Sequence, residues 1–264
     1  MRRRQFLAGS LAASALVAVK EAAGQTDAPA GREYYQLRRY LLESGTEPKQ
    51  IQSYLADAFV PAATRMGLGP VGAFSLDIGP ETPTYYVLIP GSSLEKLVEL
   101  DLHLADDAEF QKAAEPFWAA PPTGQPFHRV ESSLMKAFEG WPKLTLPEAS
   151  KTKGKRIFQL RTYESPSHRD HVRKVEMFNK GEFQIFDRVG LHSVFYADVL
   201  IGTRMPCLTY MISYESVAEL DARWKAFSSD PEWKKLSSDP RYTFEPIVNN
   251  VSNLILSPLA ASQI

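Results

Sequence analysis

Alternation along residues 156–163 sorts two kinds of side chain onto opposite sides of one extended segment. Phe158, Leu160 and Thr162 fall on one side, and Gln159, Arg161 and Tyr163 on the other. A period of two with such unlike faces is the mark of a strand. A second run, residues 193–200, sets Phe195, Ala197 and Val199 against Tyr196 and Asp198. With a third strand at 208–214, this parity expects one sheet face to collect Gln159, Arg161, Tyr163, His192, Tyr196, Asp198, Thr209 and Ser213. Such a set could do chemistry. A guanidinium holds a carboxylate or enolate oxygen through two parallel N–H bonds. His192 could act as general acid or base near neutral pH, and Tyr163 or Tyr196 could orient a phenol or carbonyl. The catalytic candidates are therefore His192, Arg161 and Tyr196; the ligand-binding set is Gln159, Arg161, Tyr163, His192, Tyr196 and Asp198. A plainer reading stands beside this one: Arg161 pairs with Asp198 and serves the architecture.

Other motifs say less. His168 and His171 share a helix face and, with Glu164, would make three metal ligands. The segment reads better as a solvated first helical turn, so no metal site is expected. Trp224, Phe227 and Trp233 have the spacing of core packing. Cys207, the single cysteine, excludes an internal disulfide framework and reads as packing. Gly-rich phosphate loops, G-x-S-x-G elbows and H-E-x-x-H pairs are absent from the sequence, so no cofactor is expected.

The elements that must position these residues occur twice. Gln36-Leu37-Arg38-Arg39-Tyr40 returns as Gln159-Leu160-Arg161-Thr162-Tyr163, an offset of 123. The same offset carries Arg65-Met66-Gly67-Leu68 onto Arg188-Val189-Gly190-Leu191, and Asp107-Ala108-Glu109-Phe110 onto Asp230-Pro231-Glu232-Trp233. Two copies of one unit are expected, over 33–141 and 156–259, joined by a polar linker at 142–155. Each copy reads β-α-β-β-α-β. Ser165-Pro166-Ser167 opens a helix with Val172, Val175, Phe178, Ile185, Phe186 and Val189 on its apolar face, and Gly190 closes it. Ser216 caps a second helix bearing Val217, Leu220, Trp224 and Phe227, and Asp230-Pro231 starts another. This order gives a four-stranded antiparallel sheet with helices on one face. Two such sheets can cover each other's bare faces by closing into a barrel.

The second copy resembles the NIPSNAP family in Phe158 through Tyr163, in Gly190-Leu191-His192, in Tyr210, and from Trp224 through Phe227 to Asp230-Pro231-Glu232-Trp233. The first copy is more divergent, lacking counterparts of Trp224, Trp233, His192 and Tyr196. The resemblance implies an α+β fold of two tandem ferredoxin-like units forming an intramolecular dimeric α/β barrel. It also implies a cavity for a small organic ligand in or beside the barrel. Turnover there would be cofactor-independent chemistry of monooxygenase or isomerase type on an enolisable or aromatic compound. Two alternatives are a non-catalytic interaction scaffold and, more weakly, a haem-binding barrel.

Composition narrows the setting. The chain has 264 residues, 44% hydrophobic, which excludes bulk disorder. Arg2, Arg3 and Arg4, a modest apolar run from Leu7 to Val19 and small residues at Ala22-Ala23-Gly24 make residues 1–24 a signal peptide of twin-arginine type. An exported, periplasmic protein is expected. Removing that signal leaves 26 basic and 30 acidic residues, a net charge of −4. No basic patch points to nucleic acid, and no run reaches the ~18 apolar residues of a membrane span. Further assembly of the pseudo-dimer into a homo-oligomer is compatible with this reading.

Overall fold

The computed structural model describes residues 31–43, 48–119 and 127–264; the expected signal, 1–24, lies outside them. The first half runs β1 (Tyr34–Leu41), α1 (Pro48–Ser53, continuing through Tyr54–Phe59 and Val60–Arg65), β2 (Gly72–Ile78) and β3 (Thr84–Gly91). It continues with α2 (Leu94–Val98), α3 (Leu100–Asp106), α4 (Ala108–Trp118) and β4 (Arg129–Ala137). A short helix, α5 (Glu148–Lys151), leads into the second half. There β5 (Ile157–Glu164), α6 (His168–Met177, Phe178–Glu182 and Phe183–Arg188), β6 (His192–Ile201) and β7 (Cys207–Tyr214) follow. Next come α7 (Val217–Ser229), α8 (Pro231–Ser237), α9 (Phe244–Ile247) and β8 (Asn250–Pro258). Strands β1 and β5, and strands β3 and β7, are offset by 123 residues at both ends.

The eight strands close into one antiparallel barrel in the order β1-β3-β2-β8-β5-β7-β6-β4. Each half contributes four consecutive strands, and the junctions are β2 with β8 and β4 with β6. Closure gives every strand a neighbour on both sides and leaves only short unpaired ends, so no full sheet edge remains to invite association. It also gives each strand residue one of two destinations, the lumen or the helix layer. Tyr35, Phe74, Phe158, Phe195, Met211 and Leu256 meet in the lumen with no exposed surface. Tyr35 lies 5.0 Å from Phe195 between ring centroids, and Phe74 5.0 Å from Phe158, so aromatic pairs fill the end where β1 and β5 begin.

The linker differs from expectation. Leu144 and Leu146 pack against the lumen cluster, and Thr145 donates to the Val194 carbonyl at 2.8 Å. A barrel floor needs an apolar cover, and these two leucines join it.

Both long helices contain one widened, π-type turn, at Tyr54–Phe59 and Phe178–Glu182. Residues four apart drift round an ordinary α-helix, and the extra residue in a widened turn cancels that drift. Ile51, Leu55, Phe59 and Ala63 therefore all face the sheet, as do Lys174, Phe178, Glu182 and Phe186. Val172, expected on the apolar face, is 62% exposed because this phase turns it outward.

The caps follow the sequence. Ser167, Ser216 and Asp230 accept backbone N–H bonds at their helix starts, and Gly67 and Gly190 leave their helices at φ +76° and +73°, where a side chain would be strained. Arg188 spans Asp230 at 2.8 Å and Glu232 at 3.0 Å. Its counterpart Arg65 spans Asp107 and Glu109, each at 2.8 Å.

Replacing Phe158 by Ala should cost about 3–5 kcal/mol, since a ring buried in the closed lumen leaves a cavity its neighbours cannot fill. Denaturant titration measures it, and a loss below ~1 kcal/mol would mean the lumen is loosely packed.

Candidate functional site

The face bearing Arg161 looks into the helix layer of the second half. Tyr163, Tyr196 and Tyr210 belong to the cluster packed under α6, α7 and α9, whereas Phe158 and Leu160 belong to the lumen. Three expected members of this face lie elsewhere. Register places Thr209 and Ser213 on the Met211 side of β7, and Thr209 bonds Thr162 at 3.0 Å. A bulge between Ser193 and Phe195 reverses the parity at the start of β6. That bulge sets His192 opposite Ser213, exposed, in a groove of about 280 Å³ with Trp141, Glu148 and Asp187. His192 therefore cannot serve Arg161 as a base, because the sheet parity separates them.

The expected Arg161–Asp198 pair does not form. Asp198 Oδ1 is bonded by His171 Nε2 at 2.9 Å, which also takes His171 out of any metal set. Among the described residues no group of three His, Cys, Asp or Glu could hold a metal ion. Arg161 instead lies over the Trp224 ring at 4.2 Å and donates through Nη2 to Tyr163 Oη at 3.1 Å. Tyr210 donates to the same phenol at 2.7 Å. Gln159 accepts from Trp224 Nε1 at 2.7 Å and from Tyr214 at 3.2 Å. Tyr196 exchanges a 2.6 Å bond with Ser193. Burial raises the phenols of Tyr163, Tyr196 and Tyr210, with Arg161 opposing the rise at Tyr163 and Tyr210.

Sequence reasoning missed the charged pair beneath these residues. Lys174 Nζ meets Glu182 Oε2 at 2.5 Å with both side chains essentially without exposed surface. Four rings surround the ammonium, from Phe178 at 4.4 Å to Trp233 at 5.6 Å. Burial lowers Lys174 and raises Glu182, and their mutual attraction opposes both shifts. The only available signal was the four-residue spacing Lys174, Phe178, Glu182, Phe186, which an ordinary helical period does not single out. In the first half the residues at the same offset are Ile51 and Phe59, both fully buried. The fold thus accepts an apolar pair at this place.

Open space lies on the other side of the sheet. The end of the lumen opposite the aromatic floor is a cavity of about 540 Å³, reached by residues from both halves. Leu37, Met135, Leu160, Val199 and Leu254 form its apolar wall, with the Thr162–Thr209 pair beside them. Charged residues form a collar. Arg39 bonds Glu131 at 3.1 Å and also meets Glu81. Arg204 bonds Ser252 at 2.6 Å and stands 3.9 Å from Glu164. Tyr86 lies against this collar; burial raises its phenol, with Arg39 and Arg204 opposing. Burial and Glu164 push the Cys207 thiol up to about 11, so it is a lining group and no nucleophile at neutral pH. None of the six expected ligand-binding residues lines this cavity: Gln159, Arg161, Tyr163, Tyr196 and Asp198 have the opposite parity, and His192 lies in the separate groove beside Trp141.

Haem does not fit. Phe178, Phe183 and Tyr196 pack with ring centroids 4.7–5.7 Å apart under α6, and no histidine lines the 540 Å³ cavity.

Residues 158–263 match the family model described as NIPSNAP. This is the half that carries Arg161, Lys174 and Trp224. A Lactobacillus acidophilus protein provisionally described as a monooxygenase is similar in structure, with TM-score 0.58 and 10% identity over 88% of this chain and 97% of that one. A Fusobacterium nucleatum protein of the same provisional description gives TM-score 0.56 and 8% identity, over 87% and 93% of the two chains. A NIPSNAP-like domain protein from Burkholderia xenovorans is 20% identical over 40% of this chain and 87% of its own, with TM-score 0.36. No curated protein matches the sequence. The first two similarities establish the α+β barrel over nearly the whole described chain.

Lys174→Ile alone should destabilise by about 3–5 kcal/mol, because it leaves Glu182 buried without a partner. The double variant Lys174→Ile, Glu182→Phe, which copies the first half, should recover most of that loss. A double variant no more stable than the single one would contradict the equivalence of the two halves here.

Proposed function

We propose that this is an exported NIPSNAP-like protein that binds a small amphipathic organic molecule in the open end of its barrel. The cavity of about 540 Å³ carries this reading, since an apolar wall with a few polar groups at its mouth is the usual make-up of a small-molecule site. The apolar body of the ligand would lie against Leu37, Met135, Leu160 and Leu254. Its polar group would remain at the collar, among Arg39, Glu131, Glu164 and Arg204. The rim supports entry from this end: Ile78, Leu200, Ile201 and Met205 are exposed where β2 and β6 finish and in the hairpin after β6. Export rests on the arginines and apolar run of residues 1–24, and the periplasm is the corresponding address.

A second reading, a docking face for another protein, draws on the same exposed rim. Under it the cavity would be incidental. The provisional monooxygenase description of the structural neighbours extends the first reading to turnover, and the uncharged Thr162 and Thr209 hydroxyls are the groups that would meet a substrate within the wall.

Calorimetry with naphthoate and with a medium-chain fatty acid separates these readings. The wild-type protein should bind at least one of them, and Val199→Trp should weaken binding at least about tenfold by filling the cavity, with melting little changed. Unaltered affinity in Val199→Trp would place the ligand elsewhere; no binding of either probe would favour the docking reading.

A further inference from the structure

The two halves hold equivalent arginines in unlike company. In the first half, Arg38 donates to Asp101 at 2.8 Å and to Gln36 at 2.9 Å. Residue 224 stands at the offset of Asp101 and is Trp, and Gln159, at the offset of Gln36, is engaged by Trp224 and Tyr214. Arg161 is consequently left with a single hydrogen bond, to Tyr163, and its Nε is buried with no acceptor. The carboxylates on this face are already committed, Glu182 to Lys174 and Asp198 to His171. Among the described residues Arg161 has no acidic partner.

A desolvated guanidinium without a counter-ion is costly, and its fork is shaped to receive a carboxylate. Access exists on one side. Arg161 and Trp224 are only partly buried, and Asn253, directly opposite Arg161 in the β5–β8 register, is exposed. Asn253 Oδ1 accepts from Gln159 Nε2 at 3.1 Å, which leaves its own amide N–H groups free to donate. The neighbouring stretch of β8, up to Leu254, has no partner in β2, whose pairing begins at Ile255.

We infer that Arg161, Trp224 and Asn253 form a second site, outside the lumen, that binds a small organic carboxylate. The guanidinium fork and the Asn253 amide receive the carboxylate oxygens, and the Trp224 ring holds the guanidinium plane in place. Asn253 also borders the barrel cavity, but Arg161 and Trp224 do not line it, and the side chain of Arg161 has the opposite parity to the lumen residues Leu160 and Thr162. It also gives a use to the divergence of the halves: exchanging Asp101's position for an indole removes the built-in anion and frees the arginine for an external one.

Benzoate is the probe, and the indole N–H resonance of Trp224 is the reporter. The titration is done in the Val199→Trp background, so that failure here is separate from failure of the barrel reading. A saturable shift of that resonance is expected. Arg161→Gln should weaken benzoate at least about tenfold, and so should Asn253→Asp, which supplies an internal carboxylate at an exposed position and does not threaten folding. Arg38→Gln should leave the affinity unchanged. The absence of a saturable shift, or equal affinity in the Val199→Trp parent and its Asn253→Asp variant, would overturn the proposal.

Discussion

Closure of the sheet through its two inter-half junctions, β2 with β8 and β4 with β6, is the contact on which everything else rests. A four-stranded sheet with helices on one face leaves the other face bare, and a second sheet is the cover each half needs. Once the barrel is closed, side-chain alternation becomes a sorting rule. Odd-numbered residues of β5 enter the helix layer and even-numbered ones the lumen, so Arg161 and Thr162, adjacent in sequence, belong to separate chemical compartments. The lumen is filled at one end by Tyr35, Phe74, Phe158 and Phe195 and left open at the other.

Divergence between the halves then acts within a common frame. The widened turn recurs in α1 and α6 and presents every fourth residue to the sheet. In the first half these positions hold Ile51, Leu55, Phe59 and Ala63, an ordinary core. In the second they hold Lys174, Phe178, Glu182 and Phe186. A buried ion pair is seldom more stabilising than the apolar residues that could replace it, and here the other half displays such residues. The pair is thus an addition to a frame that stands without it.

Much of this was legible from residue types and spacing. The alternation in 156–163, the 123-residue offset and the caps at Ser167, Ser216 and Asp230 all correspond to structure, because strands, helix starts and left-handed glycines have local physical causes. The site was less legible. Parity extended through β6 puts His192 beside Arg161, and the bulge at Ser193–Phe195 reverses it. Nothing in the local sequence marks that bulge. Lys174 and Glu182 resemble any surface charges, and only the shifted phase of a π-type turn buries them. The cavity is not legible in the sequence because its lining comes from both halves, and only the closed barrel brings Leu37, Leu160 and Thr162 to its unfilled end.

On the proposed reading the amphipathic ligand lies in the open end of the lumen and not beneath α6. The most direct measurement is a set of intermolecular nuclear Overhauser contacts between a bound naphthoate and methyl-labelled protein. Contacts from the ligand to Met135, Leu160 and Thr209 are expected, with none to Met177, which is buried beneath α6. Contacts confined to Met177 or to surface methyl groups, with Met135 and Leu160 silent, would contradict the account.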